Sequence, residues 1–206
     1  MRSGLSEQDA GADPLRLFTV WLQDAVRAGL PLPNAMTLAT VTPEGAPDAR
    51  IVLLKGLEHG GFAFYTNYAS RKARQLAARP AACLVFQWSE LERQVRIEGI
   101  AAPLEAAESA AYFAGRPRPS QLGAWASPQS EPIAGRGALM ARFAEAEARH
   151  SDASRAVPCP PYWGGYCVEP DAIEFWQGRA SRLHDRIRYR RDRQQPGGWV
   201  IDRLAP

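Results

Sequence analysis

Five short segments of the sequence group cationic, hydroxyl or amide side chains of the kind that bind anions. They are Arg50 with Lys55, Ser70 with Arg71 and Lys72, Arg116 with Ser120, Gln129 with Ser130, and the run from Arg182 to Arg186. Guanidinium and ammonium groups form charge-assisted hydrogen bonds to phosphate and carboxylate oxygens. The chain therefore has the side chains needed to bind two or more small anionic groups.

Lysine is rare in this chain, and both lysines lie in these segments. Of the 25 lysines and arginines, only Lys55 and Lys72 are lysines. An ammonium group is a compact point charge, so a lysine kept in an arginine-rich chain indicates a site that needs it. Lys72 also follows Ser70, which can cap a helix, and the free N–H groups at a helix start favour an anion. Any one cluster alone would more often be a solvated surface.

The sequence lacks the common motifs for nucleotide, serine-nucleophile and zinc chemistry. It contains no G-x-G-x-x-G, Walker loop, G-x-S-x-G or H-E-x-x-H pattern. Its three cysteines, Cys83, Cys159 and Cys167, form no C-x-x-C pair. The sequence therefore predicts neither a metal site nor a disulfide framework, and it favours a reducing compartment.

Composition favours one globular domain without a polyanionic partner. The chain has 206 residues, 46% of them hydrophobic, and a net charge of +3 with acidic and basic residues interspersed. Binding to nucleic acid would rest only on the arginine-rich segment and a pI of 8.9. We expect no targeting segment, because MRSGLSEQDAGADP lacks a charged start followed by an apolar run, and no stretch approaches the ~18 consecutive apolar residues of a membrane span. We expect no nucleic acid or membrane partner and a cytoplasmic location.

The order of predicted elements indicates an antiparallel barrel with helical insertions. Asp13 and Pro14 predict a helix start, and apolar residues recur at helical spacing up to Gly29. Strands are predicted at 35–42, 49–57, 62–67, 81–88, 93–104, 166–170, 172–178, 182–192 and 198–206, and helices at 71–79 and within 105–150. We expect a mostly β fold of the α+β class, with residues 13–206 as a single domain and residues 1–12 as a flexible N-terminal arm.

The segment RLHDRIRYRRD, residues 182–192, has the alternation of a strand. One face would carry Leu183, Asp185, Ile187 and Tyr189, and the other Arg182, His184, Arg186, Arg188 and Arg190. We expect the first part of the cationic face to line a site. The remaining arginines, Arg188, Arg190, Arg191 and Arg193, would point to solvent.

Eight motifs in the same order resemble the pyridoxamine 5′-phosphate oxidase family. They are RIVLLK, FYTNYASRKARQL, LERQVR, YFAGRPRPSQLGAW, SPQS, EFWQG, RLHDR and the terminal IDRLAP. The resemblance implies an antiparallel FMN-binding split β-barrel that works as a homodimer, with flavin in the cleft between subunits. It also implies oxidation of pyridoxamine 5′-phosphate or pyridoxine 5′-phosphate to pyridoxal 5′-phosphate, with O2 reduced to hydrogen peroxide.

The resemblance also assigns the site residues. Flavin would be bound by Arg50, Ile51, Val52, Leu53, Leu54, Lys55, Tyr65, Thr66, Arg71, Lys72, Gln94, Gln129, Ser130, Trp176 and Arg186. The substrate phosphate would be bound by Lys55, Tyr112, Arg116 and Ser120. Arg182 and His184 would be catalytic and contact the substrate ring. Since a guanidinium stays protonated, Arg182 would orient the substrate and stabilise negative charge, whereas His184 would either accept a proton or position the ring.

Two features depart from the family pattern. Many members carry a longer basic N-terminal segment that closes over the substrate, whereas MRSGLSEQDAGA precedes the first helix here. Leu32 also precedes PNAM where many relatives have an acidic residue. Trp88, Trp125 and Trp163 are interpreted as core or interface residues.

Two other functions compete with the family activity. One is oxidation of a different reduced ring compound, as in phenazine biosynthesis, and the other is binding of pyridoxal 5′-phosphate or flavin without turnover. The set Tyr112, Arg116 and Ser120 argues against the first, because a substrate without phosphate would not need it. The complete motifs argue against the second.

Overall fold

The computed structural model describes residues 4–192, 194 and 198–206. The strands are β1 (Ala35–Val41), β2 (Pro47–Leu53), β3 (Gly56–Glu58), β4 (Gly61–Asn67), β5 (Ala81–Trp88), β6 (Arg93–Pro103), β7 (Trp163–Gln177), β8 (Asp185–Arg191) and β9 (Trp199–Arg203). The helices are α1 (Glu7–Ala10), α2 (Pro14–Arg27), α3 (Arg71–Ala78), α4 (Ala106–Ala114), α5 (Arg118–Ala126) and α6 (Arg136–Arg149). No helix of the described ranges is long and apolar enough to cross a membrane.

The strands form one sheet in which the recorded pairings are antiparallel. Its order is β2-β1-β5-β6-β7-β4-β3, with β8 paired to β7 and β9 to β8. Buried and half-buried residues alternate along β1, as expected for a strand with one face on the core. The mostly β fold with helical insertions is confirmed. In the described sheet β2 and β4 lie on opposite sides, because β2 pairs with β1 and β4 pairs with β7 and β3.

Helix α2 closes one end of the core. Asp13 caps the helix by accepting from the Leu15 N–H at 2.9 Å, and Pro14 occupies the first helical position as predicted. Phe18 is fully buried, and its ring centroid lies 4.9 Å from those of Phe62 and Phe86, in edge-to-face contacts. The helix therefore packs its apolar face directly on the inner face of the sheet.

The pairing of β6 with β7 extends over the whole of β6 and contains a bulge. The register shifts between Glu98 and Gly99, opposite Pro170. A Cβ atom on Gly99 would lie 2.0 Å from the carbonyl oxygen of Glu169, so a side chain at this position would collide with the backbone of β7. Glycine is required here by close approach of two strands.

The helices between β6 and β7 contribute to a separate small core. Helices α4, α5 and α6 lie between β6 and β7, where helical patterns were predicted. Phe113 and Leu122 pack with Val157 and Trp163 in this cluster. It adjoins β7 at its first residue, and thus forms one wall beside the sheet.

Four of the predicted strands differ from the observed ones in partner, continuity or start. The prediction for 49–57 was wrong because the chain changes partner there: Leu54 N–H bonds to the Asn34 carbonyl, whereas Lys55 N–H bonds to the Ala63 carbonyl on β4. Ranges 166–170 and 172–178 belong to one long strand, β7, which the sequence predicted as two. The strand predicted at 182–192 begins only at Asp185.

Residues 4–12 are packed against the body instead of forming a free arm. Helix α1 has a capping box in which Ser6 accepts from the Asp9 N–H and Asp9 accepts from the Ser6 N–H. The Leu5 side chain is buried in the main core. The expectation of a flexible arm is therefore corrected for these residues, and residues 1–3 lie outside the described ones.

Candidate active site

One end of the sheet borders a cleft of about 840 Å³. It lies between β2, β4, the start of α3 and the α4–α5 connection. The predicted site residues on its walls are Ile51, Val52, Leu53, Lys55, Tyr65, Thr66, Lys72, Tyr112, Arg116, Ser120 and Gln129. Both lysines of the chain thus face one cavity, together with residues that are far apart in sequence.

Lys72 lies at the centre of the first group of donors in this cleft. Its Nζ is 3.3 Å from Thr66 Oγ1, 3.2 Å from Gln129 Oε1 and 3.5 Å from Ser70 Oγ. These partners are neutral oxygens, and the salt bridges of the described residues include none with Lys72. Burial, and then the charge of Arg50, lower the pKa of Lys72. An anion bound beside Lys72 would supply the charge that its protein partners lack.

Two arginines flank this group through a shared carboxylate. Asp48 Oδ2 lies 2.8 Å from both Arg50 Nη2 and Arg71 Nε. The hydrogen bond from Gln75, and then the charges of Arg50 and Arg71, hold the pKa of Asp48 below its ordinary value. Because one carboxylate is shared by two guanidinium groups, the set keeps a net positive charge.

The start of α3 completes this first anion subsite. Ser70 caps the helix, with Oγ accepting from the Ala73 N–H at 3.4 Å. The backbone N–H groups of Arg71 and Lys72 lie in the first turn of the helix and have no intrahelical acceptor. Partial positive charge at a helix start favours a phosphate at this point. Lys72, Arg71, Arg50 and the α3 start therefore form the first anion subsite.

Arg116 defines a second anion subsite on the opposite wall of the cleft. Its Cζ lies 4.7 Å from the ring centroid of Trp163 and 5.6 Å from that of Phe113. Its Nη1 is buried without a hydrogen-bond partner among the described residues, and burial lowers the pKa of Arg116. A buried guanidinium donor without an acceptor is costly, so this geometry favours an anionic ligand. The hydroxyls of Tyr112 and Ser120 belong to the same cleft.

A stack of aromatic rings adjoins the second subsite. Tyr65 and Tyr112 lie 3.8 Å apart by ring centroids and almost parallel, and Trp163 lies 5.4 Å from Tyr65. The interpretation of Trp163 as only a core or interface residue was incomplete, because this buried ring also lines the cleft and supports Arg116. The glycine pair after it, Gly164 and Gly165, was the clue in the sequence: a Cβ on Gly165 would lie 2.8 Å from the Tyr65 ring.

The remaining predicted residues lie elsewhere. Gln94, Trp176 and His184 line a second cavity of about 440 Å³, whose lining residues include none from the main cleft. The side chain of Leu54 is buried in the main core, so only its backbone can face the cleft. Ser130 is exposed, with a φ of 77°.

The predicted strand face that carried Arg182 and His184 does not exist. Ser181 and Arg182 have φ values of 58° and 61°, in a short 3₁₀ turn that ends at Arg182, two residues before His184. The turn interrupts the alternation, so Arg182 does not share a strand face with Arg186. His184 instead lies with its ring centroid 4.5 Å from that of Trp176, and its Nδ1 accepts from the Arg179 N–H at 3.1 Å.

Arginines farther along β8 are paired with carboxylates. Arg186 Nε contacts Glu174 at 2.7 Å, and Asp202 contacts Arg188 at 3.0 Å and Arg190 at 2.7 Å. The expectation that Arg188 and Arg190 simply point to water is therefore corrected. Arg191 covers the Trp199 ring at 4.3 Å instead of extending outward, and Arg193 lies outside the described residues.

The two cavities lie at opposite ends of β7. Tyr65 pairs with Gly165 near the start of this strand, whereas Gln94 pairs with Trp176 near its end. A strand rises by about 3.3 Å per residue, so these positions are separated by up to roughly 35 Å. One chain therefore cannot place both groups around a single small ligand.

The first anion subsite and the adjacent strand edge fit FMN. FMN has one phosphate and a flat ring system, which match the cationic group at α3 and the exposed backbone of β2 beside it. Ile51 is 64% exposed on that strand although it is apolar, as expected where another surface or a ligand covers it. In the described residues, no group of His, Cys, Asp or Glu is arranged to hold a metal ion.

The fold and the cleft together define an antiparallel split barrel with two anion subsites, a class suited to phosphorylated ring compounds. The family model for pyridoxamine 5′-phosphate oxidase matches residues 22–150. A second model, described as the C-terminal dimerisation region of pyridoxine 5′-phosphate oxidase, matches residues 163–206. The chain belongs to the pyridoxamine 5′-phosphate oxidase family, which is a family of oxidoreductases.

Individual proteins agree with this assignment. A pyridoxine/pyridoxamine 5′-phosphate oxidase of Rubrobacter xylanophilus is 57% identical over all of this chain and 92% of its own length. The crystal structure of PhzG from Burkholderia lata 383 in complex with tetrahydrophenazine-1-carboxylic acid is 35% identical, covers 98% of both chains and has a TM-score of 0.89. A pyridoxamine 5′-phosphate oxidase-related, FMN binding protein from Nostoc punctiforme shares the fold, at 21% identity, over 95% of this chain and 100% of its own, with a TM-score of 0.75.

Proposed function

We propose that this protein is an FMN-dependent oxidase that converts pyridoxamine 5′-phosphate or pyridoxine 5′-phosphate to pyridoxal 5′-phosphate. The observation that carries the proposal is Arg116. Its guanidinium is partly buried, and the buried Nη1 has no partner among the described residues, in a cleft that Lys55 and Lys72 also line. A cleft with two separate cationic positions suits one phosphate on the cofactor and another on the substrate.

The residues that would hold FMN are those of the first anion subsite and the adjacent strand. Lys72, Arg71 and Arg50 would bind its phosphate, and the backbone of β2 would lie along the ring system. The chemistry that FMN supplies when bound is two-electron oxidation of the substrate, with O2 as the final acceptor and hydrogen peroxide as the product. The chain's own residues bind and orient both molecules.

Arg116, with Lys55, Tyr112 and Ser120, would hold the substrate phosphate. Two cations and two hydroxyls can satisfy the oxygens of a phosphate and hold the substrate at a fixed distance from the flavin ring. The aromatic stack beside Arg116 excludes water from one side of this subsite. Charge-assisted hydrogen bonds are stronger where water is excluded, so the aromatic stack would strengthen binding of the phosphate.

A second copy of the chain would complete each site. The matched dimerisation region includes Trp176, His184 and Arg186, which lie at the far end of β7 from the main cleft. A homodimer would bring these residues of one copy to the cleft of the other. Arg182 and His184 would then contact the substrate ring, where Arg182 stabilises negative charge near the reacting carbon.

Oxidation of a phenazine precursor is the alternative, and the similarity to PhzG favours it. The two functions differ in whether the substrate has a phosphate. For the tetrahydrophenazine acid bound by that neighbour, the Arg116 subsite would have to bind a carboxylate instead.

Anaerobic reduction of the bound flavin distinguishes these functions. We expect pyridoxamine 5′-phosphate to bleach the flavin spectrum without oxygen, and air to restore it with release of hydrogen peroxide. Arg182→Ala and His184→Ala should each lower kcat/KM at least about tenfold, or ~1.4 kcal/mol, while flavin stays bound. Bleaching only by a reduced phenazine would favour the alternative, and binding without bleaching would indicate a non-catalytic protein.

A further inference from the structure

The loop that carries His184 is held in an unfavourable backbone conformation. We define the site loop as residues 179–184, between β7 and β8. Ser181 and Arg182 are consecutive non-glycine residues with positive φ. Such conformations cost free energy and persist only where surrounding contacts hold them, often at functional sites.

The hydrogen bond of His184 fixes which ring nitrogen faces outward. Its Nδ1 accepts from the backbone N–H of Arg179 at 3.1 Å. An amide N–H can only donate, so the neutral ring must carry its proton on Nε2. With the Trp176 ring against the imidazole, Nε2 is the nitrogen left to meet a ligand, and it meets it as a donor.

One carboxylate ties the site loop to both ends of the chain. Asp185 directly follows His184, and its Oδ2 lies 3.3 Å from Arg179 Nε and accepts from the Leu5 N–H at 3.0 Å. Its other oxygen, Oδ1, lies 2.9 Å from Arg203 Nη1. Arg203 in turn donates to the Leu5 carbonyl at 2.9 Å and pairs with Glu7 at 2.7 Å.

We call the contacts of Asp185 with Leu5, Arg179 and Arg203 the junction. Its residues are closely packed. A Cβ on Gly4 would lie 2.9 Å from Arg179 Nη2 and 3.0 Å from Asp185 Oδ2. The N-terminal segment therefore lies directly on the ion pair that anchors Arg179. Since the same residue, Arg179, presents its N–H to His184, the junction and the ring orientation share one anchor.

We propose that Asp185 is a positioning residue that acts through His184, holding the imidazole as an Nε2–H donor toward an acceptor atom of the substrate. This deepens the proposed function, on which the identity of the substrate rests. The Asp185 carboxylate holds the Arg179 side chain, and the Arg179 N–H donates to Nδ1 of His184. The Nε2–H of His184 then points to the ligand. His184 is accordingly a hydrogen-bond donor to the substrate and not the group that accepts its proton.

A double-mutant cycle in the flavin-loaded enzyme tests the coupling. Asp185→Asn should lower kcat/KM for pyridoxamine 5′-phosphate about tenfold in the wild-type background, and less than about twofold in His184→Ala. Asp202→Asn is the matched control. Like Asp185, Asp202 pairs with two arginines, here Arg188 and Arg190, but it is far from the site loop in sequence and neither of these arginines belongs to that loop. This substitution should change kcat/KM less than about twofold in both backgrounds.

The state of the ring is measured separately from activity. The chain has three histidines, so nitrogen-15 labelling of histidine gives few ring signals, and His184→Ala identifies that of His184. We expect Nε2 to be protonated and Nδ1 to be a hydrogen-bond acceptor, with the Nδ1 signal moving to its unbonded position in Asp185→Asn. Asp202→Asn should leave that signal unchanged.

The outcomes separate this proposal from the proposed function. Additive losses in the cycle, or a proton on Nδ1, would overturn the role of Asp185. The expected ring signals in an enzyme that does not oxidise pyridoxamine 5′-phosphate would instead overturn the substrate and leave the positioning role standing. If Asp185→Asn does not fold, Arg203→Gln breaks the same junction from the other side and should show the same loss and the same coupling to His184.

Discussion

The cleft at one end of β7 and the strands β8 and β9 toward its other end both carry basic side chains. The two regions differ in whether those side chains are paired with carboxylates. In the cleft, Lys72 contacts neutral oxygens and Arg116 has a buried donor without a partner among the described residues. On β8 and β9, Arg188 and Arg190 share Asp202, and Arg203 pairs with Glu7 and Asp185. Arg50 and Arg71 beside Lys72 share the single carboxylate of Asp48, so the cleft keeps an excess of positive charge. Excess positive charge indicates ligand binding, whereas cations matched by carboxylates indicate stability or positioning. The number of basic residues does not distinguish the two.

The largest effect that this contrast predicts is on cofactor binding. Lys72→Met removes the central cation of the first anion subsite, so the dissociation constant for FMN should rise about tenfold to a hundredfold, or ~1.5–3 kcal/mol. Titration of flavin fluorescence measures it. Arg74→Met is the control on the same helix, because Arg74 pairs with Glu131 at 2.6 Å, and it should change affinity less than about twofold. If both substitutions raised the dissociation constant equally, Lys72 would bind FMN no more specifically than a surface-paired arginine.

A smaller effect should appear in the paired region as a pH dependence of stability. The hydrogen bond from Arg203 lowers the pKa of Glu7 to about 2, from 4.5. Because the folded-state pKa is the lower one, the stabilisation is present above about pH 4.5 and is lost as the pH falls toward about 2. Glu7→Gln should therefore be less stable than wild type at neutral pH, and the difference should shrink over that window.

Chemical unfolding of both proteins at several pH values gives this difference. Flavin affinity at neutral pH serves as the control and should be the same in the two proteins. A difference in unfolding free energy that stays constant down to about pH 2 would show that the Glu7 carboxylate does not make this contribution.

The smallest effect is expected at the exposed end of β8. Arg190 pairs with Asp202 on the surface, and Arg188 remains to pair with the same carboxylate. Exposed pairs contribute little, so Arg190→Ala should change neither kcat/KM nor flavin affinity beyond about twofold. A large loss of activity in steady-state assays would instead place this part of β8 in the active site.

Local patterns in the sequence predicted the cleft better than the site loop. Lys72 and Arg116 were predicted as ligand-binding residues because each lies in a segment that resembles the family, and the structure places both on one cavity. The strand predicted through Arg182 failed because alternation alone does not reveal a turn with positive φ. The role of Asp185 could not be predicted locally, since its partner Leu5 lies 180 residues away. Gly164 and Gly165, which follow Trp163, indicate a close approach to this strand, but the place of Trp163 itself on the cleft wall is a property of the assembled fold and was missed.

The proposed function depends most on recognition of the substrate phosphate by the guanidinium of Arg116. The direct measurement is kcat/KM of wild type and Arg116→Ala for pyridoxamine 5′-phosphate and for pyridoxamine, which lacks the phosphate. We predict a loss of about tenfold to a hundredfold for the phosphorylated substrate and less than about twofold for the other, with flavin content unchanged. Equal losses for both substrates, or none for either, would contradict the account.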